Sequence, residues 1–265
     1  MKYETLDVRQ EGAALWVTLN RPQSLNALNN RMVVELRTLF TELYWNREIR
    51  VVVLGGAGRA FCAGLDLKEH DAIGAGSTVG QLLDSQRGIA EIVVAMRRCP
   101  QPIIAMVQGA ASGGGFALAL GSDVRLAAPN LRMNAAFIRI GLSACDIGVS
   151  YFLPRMVGSS VAAEFMLTGR FIEAERAREL GLVSKVVEAD QLAAEAQGFV
   201  ADMLHATPLG LRLTKEALNH AVDCNGLEAA IAMEDRNQIL CSRDENFQEG
   251  VKAFLEKRPP QYRPG

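Results

Sequence analysis

Five cysteines stand at 62, 99, 145, 224 and 241, an odd number with no C-x-x-C pair and no interleaved histidines. That pattern argues against a disulfide framework and a zinc site, and leaves reduced thiols as the expectation. Histidine is equally scarce: His70, His205 and His220 show no metal spacing, so no metal is expected. An excess of one charge is also missing. With Lys+Arg 28 against Asp+Glu 30, the formal net charge of -2 offers no global attraction to nucleic acid or an anionic membrane surface. Every long apolar run is broken by glycine or charge well short of the roughly 20 residues a membrane span needs. Residues 1 to 7, Met-Lys-Tyr-Glu-Thr-Leu-Asp, lack a signal-peptide core, so the expectation is a soluble, cytoplasmic protein.

What is present suits a large core. The 265 residues are 49% hydrophobic and 22% charged, enough for one large domain, with or without a small helical appendage. Residues 3 to 9 and 13 to 20 alternate apolar and polar around Glu11-Gly12, predicting a hairpin that Asn20-Arg-Pro stops. Helical spacing over 31 to 46 precedes a short buried strand, Val51 to Leu54. A second helix is predicted over 80 to 98, then strands at Ile103 to Val107 and Val124 to Ala128. This alternation predicts an α/β architecture with right-handed crossovers. Beyond about residue 190 the strand signals vanish. Helices are predicted there over 190 to 205, 208 to 222, 226 to 241 and 244 to 256, so we divide the chain into a core, 1–190, and a helical C-terminal region, 191–265.

The most informative segment is Ala111-Ser-Gly-Gly-Gly-Phe-Ala-Leu-Ala-Leu120. Three glycines remove the Cβ atoms that block close approach, and the first N–H groups of the helix they open lack partners within it. Such groups can cradle an anion or build an oxyanion hole. Phe116 and Ala117 supply no acid or base beside them. A second candidate is Gly58-Arg-Ala-Phe-Cys-Ala-Gly-Leu-Asp-Leu-Lys-Glu69, another strand-end loop, where Gly64 permits a turn that exposes the Leu65 N–H. Alone it reads equally well as an ordinary loop; paired with the glycines at 113 to 115 it becomes specific.

These segments, with Leu19-Asn-Arg-Pro-Gln-Ser-Leu-Asn-Ala-Leu28, Pro102 to Gly115, Gly121-Ser-Asp123, Leu167-Thr-Gly169, Gly181-Leu-Val183 and Phe254-Leu-Glu-Lys-Arg-Pro259, resemble the crotonase (enoyl-CoA hydratase/isomerase) superfamily in family order over nearly the whole chain. The resemblance implies a spiral of ββα units followed by a helical trimerisation region. It also implies an acyl-CoA thioester as substrate, with no cofactor beyond its CoA moiety, and a homotrimer or dimer of trimers. By carry-over, the Leu65 and Gly114 N–H groups hold the thioester oxygen. Ser24, Leu25, Asp66, Leu67 and Lys68 fall where the family meets CoA, and Phe254 and Lys257 reach it from a neighbouring subunit. The plainer alternatives are solvated charges for Lys68 and Lys257 and helix packing for Phe254.

The departures are as informative as the matches. The hydratases this chain resembles place one glutamate three residues after the middle glycine, here Ala117, and another at the position of Phe137. Hydration needs a base for water and an acid for carbon, so losing both argues against ordinary hydratase chemistry. Ala117 and Phe137 are instead assigned to an apolar substrate pocket. Asp146, in Ser143-Ala-Cys-Asp-Ile-Gly148, resembles the proton-transferring aspartate of dienoyl-CoA isomerases and the nucleophile of aroyl-CoA dehalogenases. The chain carries one residue more between Gly141 and Asp146 than either, and the carry-over rests on the loop absorbing it. Dehalogenases also place a histidine where this chain reads Ala90-Glu-Ile-Val, so dehalogenation is set aside.

Asp146 has an alternative role as cap of a helix starting near Val149. Glu91 is a weaker candidate acid, with a salt-bridged fate as its alternative. Cys62 and Cys145 are expected to be small buried thiols, His70 lies near the first oxyanion segment, and Asp123 is read as structural. Residues 71 to 80, with Gly74, Gly76 and Gly80, are read as a loop near the acyl pocket. The leading functional expectation is isomerisation through a thioester enolate, with Asp146 moving the proton. Thioester hydrolysis, decarboxylation and non-catalytic acyl-CoA binding are the alternatives.

Overall fold

A computed structural model describes residues 3–69 and 76–263. The alternating N-terminal pattern forms β1 (Leu6–Glu11) and β2 (Ala14–Leu19), an antiparallel hairpin pairing Leu6 with Leu19 and Glu11 with Ala14. The Asn29 side chain accepts a hydrogen bond from Met32 N at 3.0 Å and starts α1 (Asn30–Leu43), a cap worth about 1 kcal/mol. After β3 (Val51–Gly56), Thr78 and Gln81 form a reciprocal capping box at the head of α2 (Val79–Arg98). His70 and residues 71–75 of the loop read at 71 to 80 lie outside the described residues. Val79 and Gly80, assigned to that loop, belong to α2, because Thr78 caps the helix before them.

The chain continues through β4 (Ile103–Val107), β5 (Ala110–Ser112), α3 (Gly114–Gly121), β6 (Val124–Ala127) and β7 (Arg132–Asn134). Next come α4 (Val149–Val157), α5 (Ser159–Thr168), β8 (Ile172–Glu173), α6 (Ala174–Glu179) and β9 (Lys185–Val186). The predicted C-terminal helices follow as α7 (Leu192–Leu204), α8 (Pro208–Ala221), α9 (Leu227–Arg243) and α10 (Glu245–Glu256).

Two sheets result. One has the order β1-β2-β3-β4-β6-β9, parallel from β2 onward; the other has the order β5-β7-β8. Strand β3 is apolar without alternation because both of its faces are covered. Val52 and Leu54 join the cluster of Leu36, Phe40, Ile92 and Met96, while Val51 and Val53 join Leu192, Ala196 and Val200 of α7. Each large side chain fully buried in these clusters contributes about 1.5–3 kcal/mol. A helix from beyond residue 190 thus completes the second face of the main sheet. The site segments leave the carboxyl ends of β3 and β4, where α/β sheets present their ligand crevices.

Candidate active site

Three segments converge around the triple glycine. Leu28 and Leu65 form one isolated parallel bridge and Cys62 and Ala111 another. Leu28 N donates to Gly64 O at 2.7 Å, Asp66 N to Leu28 O at 2.9 Å and Ala63 N to Leu25 O at 3.0 Å. Gly64 has φ +100, and a Cβ there would lie 2.8 Å from Ser112 O and 3.5 Å from Gly114 N; only glycine lets the two loops approach so closely. A Cβ on Gly115 would collide with the Cys62 carbonyl, so α3 packs its first turn directly on that strand end. Gly64 and Gly114 stand side by side, and neither the Leu65 nor the Gly114 N–H has a hydrogen-bond partner among the described residues. Leu65 is half-buried, and Gly114 opens α3, whose first-turn donors and dipole favour negative charge. Chemically, the pair is suited to hold an oxygen that gains charge during reaction.

The loop after Leu65 is fixed from below. Arg21, with 8% side-chain exposure, pairs with Asp66 at 2.9 Å and with Glu69 at 2.9 Å, and donates to Ala27 O at 2.6 Å. Burial alone raises the Asp66 carboxyl, but Arg21 and the Lys68 amide outweigh it and hold the group below the usual carboxylate range. The side chain of Asp66 is therefore spent within the protein, leaving its backbone and the exposed Leu67 and Lys68 at the surface. Asn26, fully buried with φ +56, accepts from Arg21 N and donates to Ala57 O and Ala60 O at 2.8 Å each. It clamps half-buried Ser24 and Leu25 beside the same loop. The sequence reading missed Arg21 and Asn26 as supports, although both lie in the Leu19 to Leu28 motif it singled out.

Ala117 is fully buried on α3, and Phe137 places its ring 3.4 Å from where a Cβ on Gly113 would stand. Phe137 thus packs on the glycine turn, and Ala117 is buried on the helix that the turn opens. The segment before Asp146 is a loop that opens at Gly141 (φ +86). There Ser143 Oγ accepts from Cys145 N, and Ile147 (φ +35) and Gly148 (φ +96) turn the chain into α4. A positive φ at a β-branched residue carries strain of about 1–3 kcal/mol. Ile147 Cδ1 lies 3.7 Å from the Cβ position of Gly114, so packing there offsets the strain and sets the Asp146 segment beside the glycine turn. Burial raises the Asp146 carboxyl above its ordinary value, and the Ile147 amide and Gln86 offset this only in part.

Several expectations change on these observations. Asp146 is not the cap of α4: the cap is Gly148, with no side-chain hydrogen bond, and Asp146 Oδ1 accepts instead from Ile147 N. Cys145 is exposed rather than buried, because the loop turns its side chain outward, whereas Cys62 is buried and burial pushes its thiol up to about 12. Glu91 is salt-bridged to Arg87 and Arg98. Asp123 accepts from Ile103 N and pairs with Arg97 and with Lys215 of α8, a structural role. Phe254 is 83% exposed on α10, and Lys257 caps that helix with φ +52; no hydrogen bond or ion pair among the described residues joins either to the loops around Leu65 and Gly114.

A stack of parallel strands, a small second sheet and a glycine turn opening a buried helix define a crotonase-type fold. The chain belongs to the enoyl-CoA hydratase/isomerase family, whose model matches residues 9–264. It is 38% identical to "Probable enoyl-CoA hydratase EchA12" of Mycobacterium tuberculosis, over 93% of this chain and 88% of that protein. It is 35% identical to 1,2-epoxyphenylacetyl-CoA isomerase of Escherichia coli, over 95% of each. The crystal structure of an enoyl-CoA hydratase from Bacillus anthracis superposes with a TM-score of 0.92 at 32% identity, covering 99% of this chain and all of the other. The protein is therefore an enzyme of this family. No helix among the described residues is long and apolar enough to cross a membrane.

Proposed function

We propose that this enzyme isomerises an unsaturated acyl-CoA. The Leu65 and Gly114 N–H groups hold the thioester oxygen, and Asp146 moves a proton between two carbons. The observation that carries the reading is the placement of Asp146: its segment packs on Gly114 through Ile147, and burial raises its carboxyl above the ordinary value. The positions where the related hydratases hold carboxylates carry Ala117 and Phe137, leaving no second acid–base group there. A relative named as an isomerase shares 35% identity.

In this reaction the carboxylate takes a proton from the carbon next to the thioester. The C–H electron pair delocalises onto the thioester oxygen, where two backbone donors meet the charge as it forms. The protonated acid then gives its proton to the far carbon of the dienolate, and the double bond moves into conjugation. One carboxylate suffices and no water is consumed. CoA is bound by the strand-end segments at Ser24, Leu25, Asp66, Leu67 and Lys68, and by Phe254 and Lys257 of a neighbouring copy. No cofactor beyond the CoA moiety takes part.

The test is turnover of 3-hexenoyl-CoA, followed by absorbance of the conjugated product. Asp146→Asn is expected to lower kcat by roughly 10²–10⁴-fold; unchanged turnover overturns the assignment. Mass analysis across saturated, unsaturated and aromatic acyl-CoAs separates the alternatives. Free CoA points to thioester hydrolysis, carbon dioxide to decarboxylation, and tight binding without any product to a non-catalytic protein.

The trimer belongs to the same proposal. Helix α9 buries no residue within the chain, and Leu227, Ile239 and Leu240 are exposed along it, as are Phe254 and Leu255 on α10. Light scattering is expected to give three or six copies, and Ile239→Glu with Leu240→Glu to reduce that number. A monomeric wild-type protein overturns this part.

A further inference from the structure

The proton-transfer reading leaves open which oxygen of Asp146 acts and what aims it. Asp146 Oδ1 accepts two hydrogen bonds, from Ile147 N at 2.8 Å and from Gln86 Nε2 at 2.6 Å. Oδ2 accepts none among the described residues. The Ile147 bond is local and turns with the loop, whereas the Gln86 bond crosses from α2, 60 residues away in sequence. Gln86 has no other hydrogen-bond partner among the described residues.

Helix α2 is anchored from Ile89 onward. Ile89 and Val93 lie about one and two turns beyond the exposed Gln86 on the same face and are 6% and 4% exposed. Val93 Cγ1 also stands 3.7 Å from the Cβ position of Gly148, so the helix packs against the turn that carries Asp146. The strained φ of +35 at Ile147 shows that the loop does not adopt its path by local preference.

We infer that Gln86 is a positioning residue that ties the Asp146 carboxylate to α2 through Oδ1 and leaves Oδ2 as the oxygen that takes and returns the substrate proton. This rests on the reading of Asp146 as the proton carrier. The chemistry follows from lone-pair occupancy: an oxygen already accepting two N–H groups has no free position for a proton, and its partner does. A carboxylate fixed at one oxygen also spends less of its reactive encounter in unproductive rotamers. No ionisable side chain among the described residues shifts Asp146; Gln86 and the Ile147 amide are the polar groups against it.

The experiment compares Gln86→Ala, Gln86→Glu and Asp146→Asn with the wild type, using 3-hexenoyl-CoA across pH. Carbon-13 NMR of protein labelled at aspartate Cγ reads the Asp146 titration directly, with Asp146→Asn assigning the signal. Losing a donor to the charged form raises a carboxyl pKa. Gln86→Ala is therefore expected to lower kcat about fivefold with KM little changed, and to move both the acidic limb of kcat and the NMR midpoint up by about half a pH unit. Gln86→Glu keeps the shape but replaces the donor with a like charge, and should move the limb further in the same direction. Gln86 variants with wild-type kcat, or with a lower kcat but an unmoved limb and midpoint, overturn the positioning role while Asp146→Asn remains inactive. An active Asp146→Asn variant is a separate result that overturns the proton-carrier reading itself, and this inference with it.

Discussion

Two loops flank the glycine turn, and each carries an aspartate in a different electrostatic setting. Asp66 is buried with Arg21 against it, its oxygens shared between a guanidinium and the Lys68 amide, and its carboxyl is held below the ordinary range. Asp146 is partly buried; among the described residues no cation pairs with it and its hydrogen-bond donors are neutral amides, and burial raises its carboxyl. The first loop is locked by charge and by Asn26; the second is held by packing on Gly114 and a strained Ile147. A carboxylate neutralised by a buried arginine is a brace, since its charge is already matched and its proton affinity lowered. One that is desolvated and unpaired retains the basicity a proton carrier needs. The same residue type thus braces the fold on one side of the glycine turn and, in the proposed reaction, carries the proton on the other.

The largest effect expected from this contrast falls on the brace. Removing Arg21 leaves Asp66 buried without its cation and also deprives Ala27 O and Glu69 of their partner. Arg21→Met should lower the unfolding free energy by about 3–5 kcal/mol in urea titrations at pH 7. Asp146→Asn, which removes a partly desolvated charge with no cation partner among the described residues, should cost no stability under the same conditions while lowering kcat by the roughly 10²–10⁴-fold expected above. A large stability loss in Asp146→Asn, or none in Arg21→Met, would erase the distinction between the two loops.

The sequence revealed this arrangement unevenly. Strands and helices followed from periodicity: β1 and β2 alternate, α1 and α2 carry apolar stripes, and the C-terminal helices begin and end near their Gly and Pro signals. The glycines at 64 and 113 to 115 were legible because close backbone approach excludes other residues. The supports were not. Arg21 reaches Asp66 across 45 residues and Gln86 reaches Asp146 across 60, and no local pattern encodes contacts of that span. The helix cap offered for Asp146 failed for a local reason: Ile147 adopts positive φ, a conformation a β-branched residue rarely takes, so the side chain turns back on its own loop. Cys145, expected as a small buried thiol beside the site residues, is exposed by the same turn.

The smallest expected effect, and the most discriminating, is that pH moves the two aspartates' stability contributions in opposite directions. For Asp66 the folded-state pKa lies below the unfolded value of about 3.9. Its contribution is present above that value and is lost as pH falls through the folded pKa. The stability gap between wild type and Asp66→Asn should therefore narrow as the solution is acidified. For Asp146 the folded-state pKa lies above the unfolded value, so the fold favours the protonated form. Relative stability is full below about pH 3.9 and falls as pH rises through the folded pKa. Asp146→Asn should thus match the wild type near pH 3 and exceed it at neutral pH, by no more than about 1 kcal/mol for a group that is still partly solvated. Urea titrations of both variants from pH 3 to pH 8 give the two slopes directly. If they share a sign, the Asp146 loop is a second brace, and the base that serves the oxyanion turn must be sought on another segment.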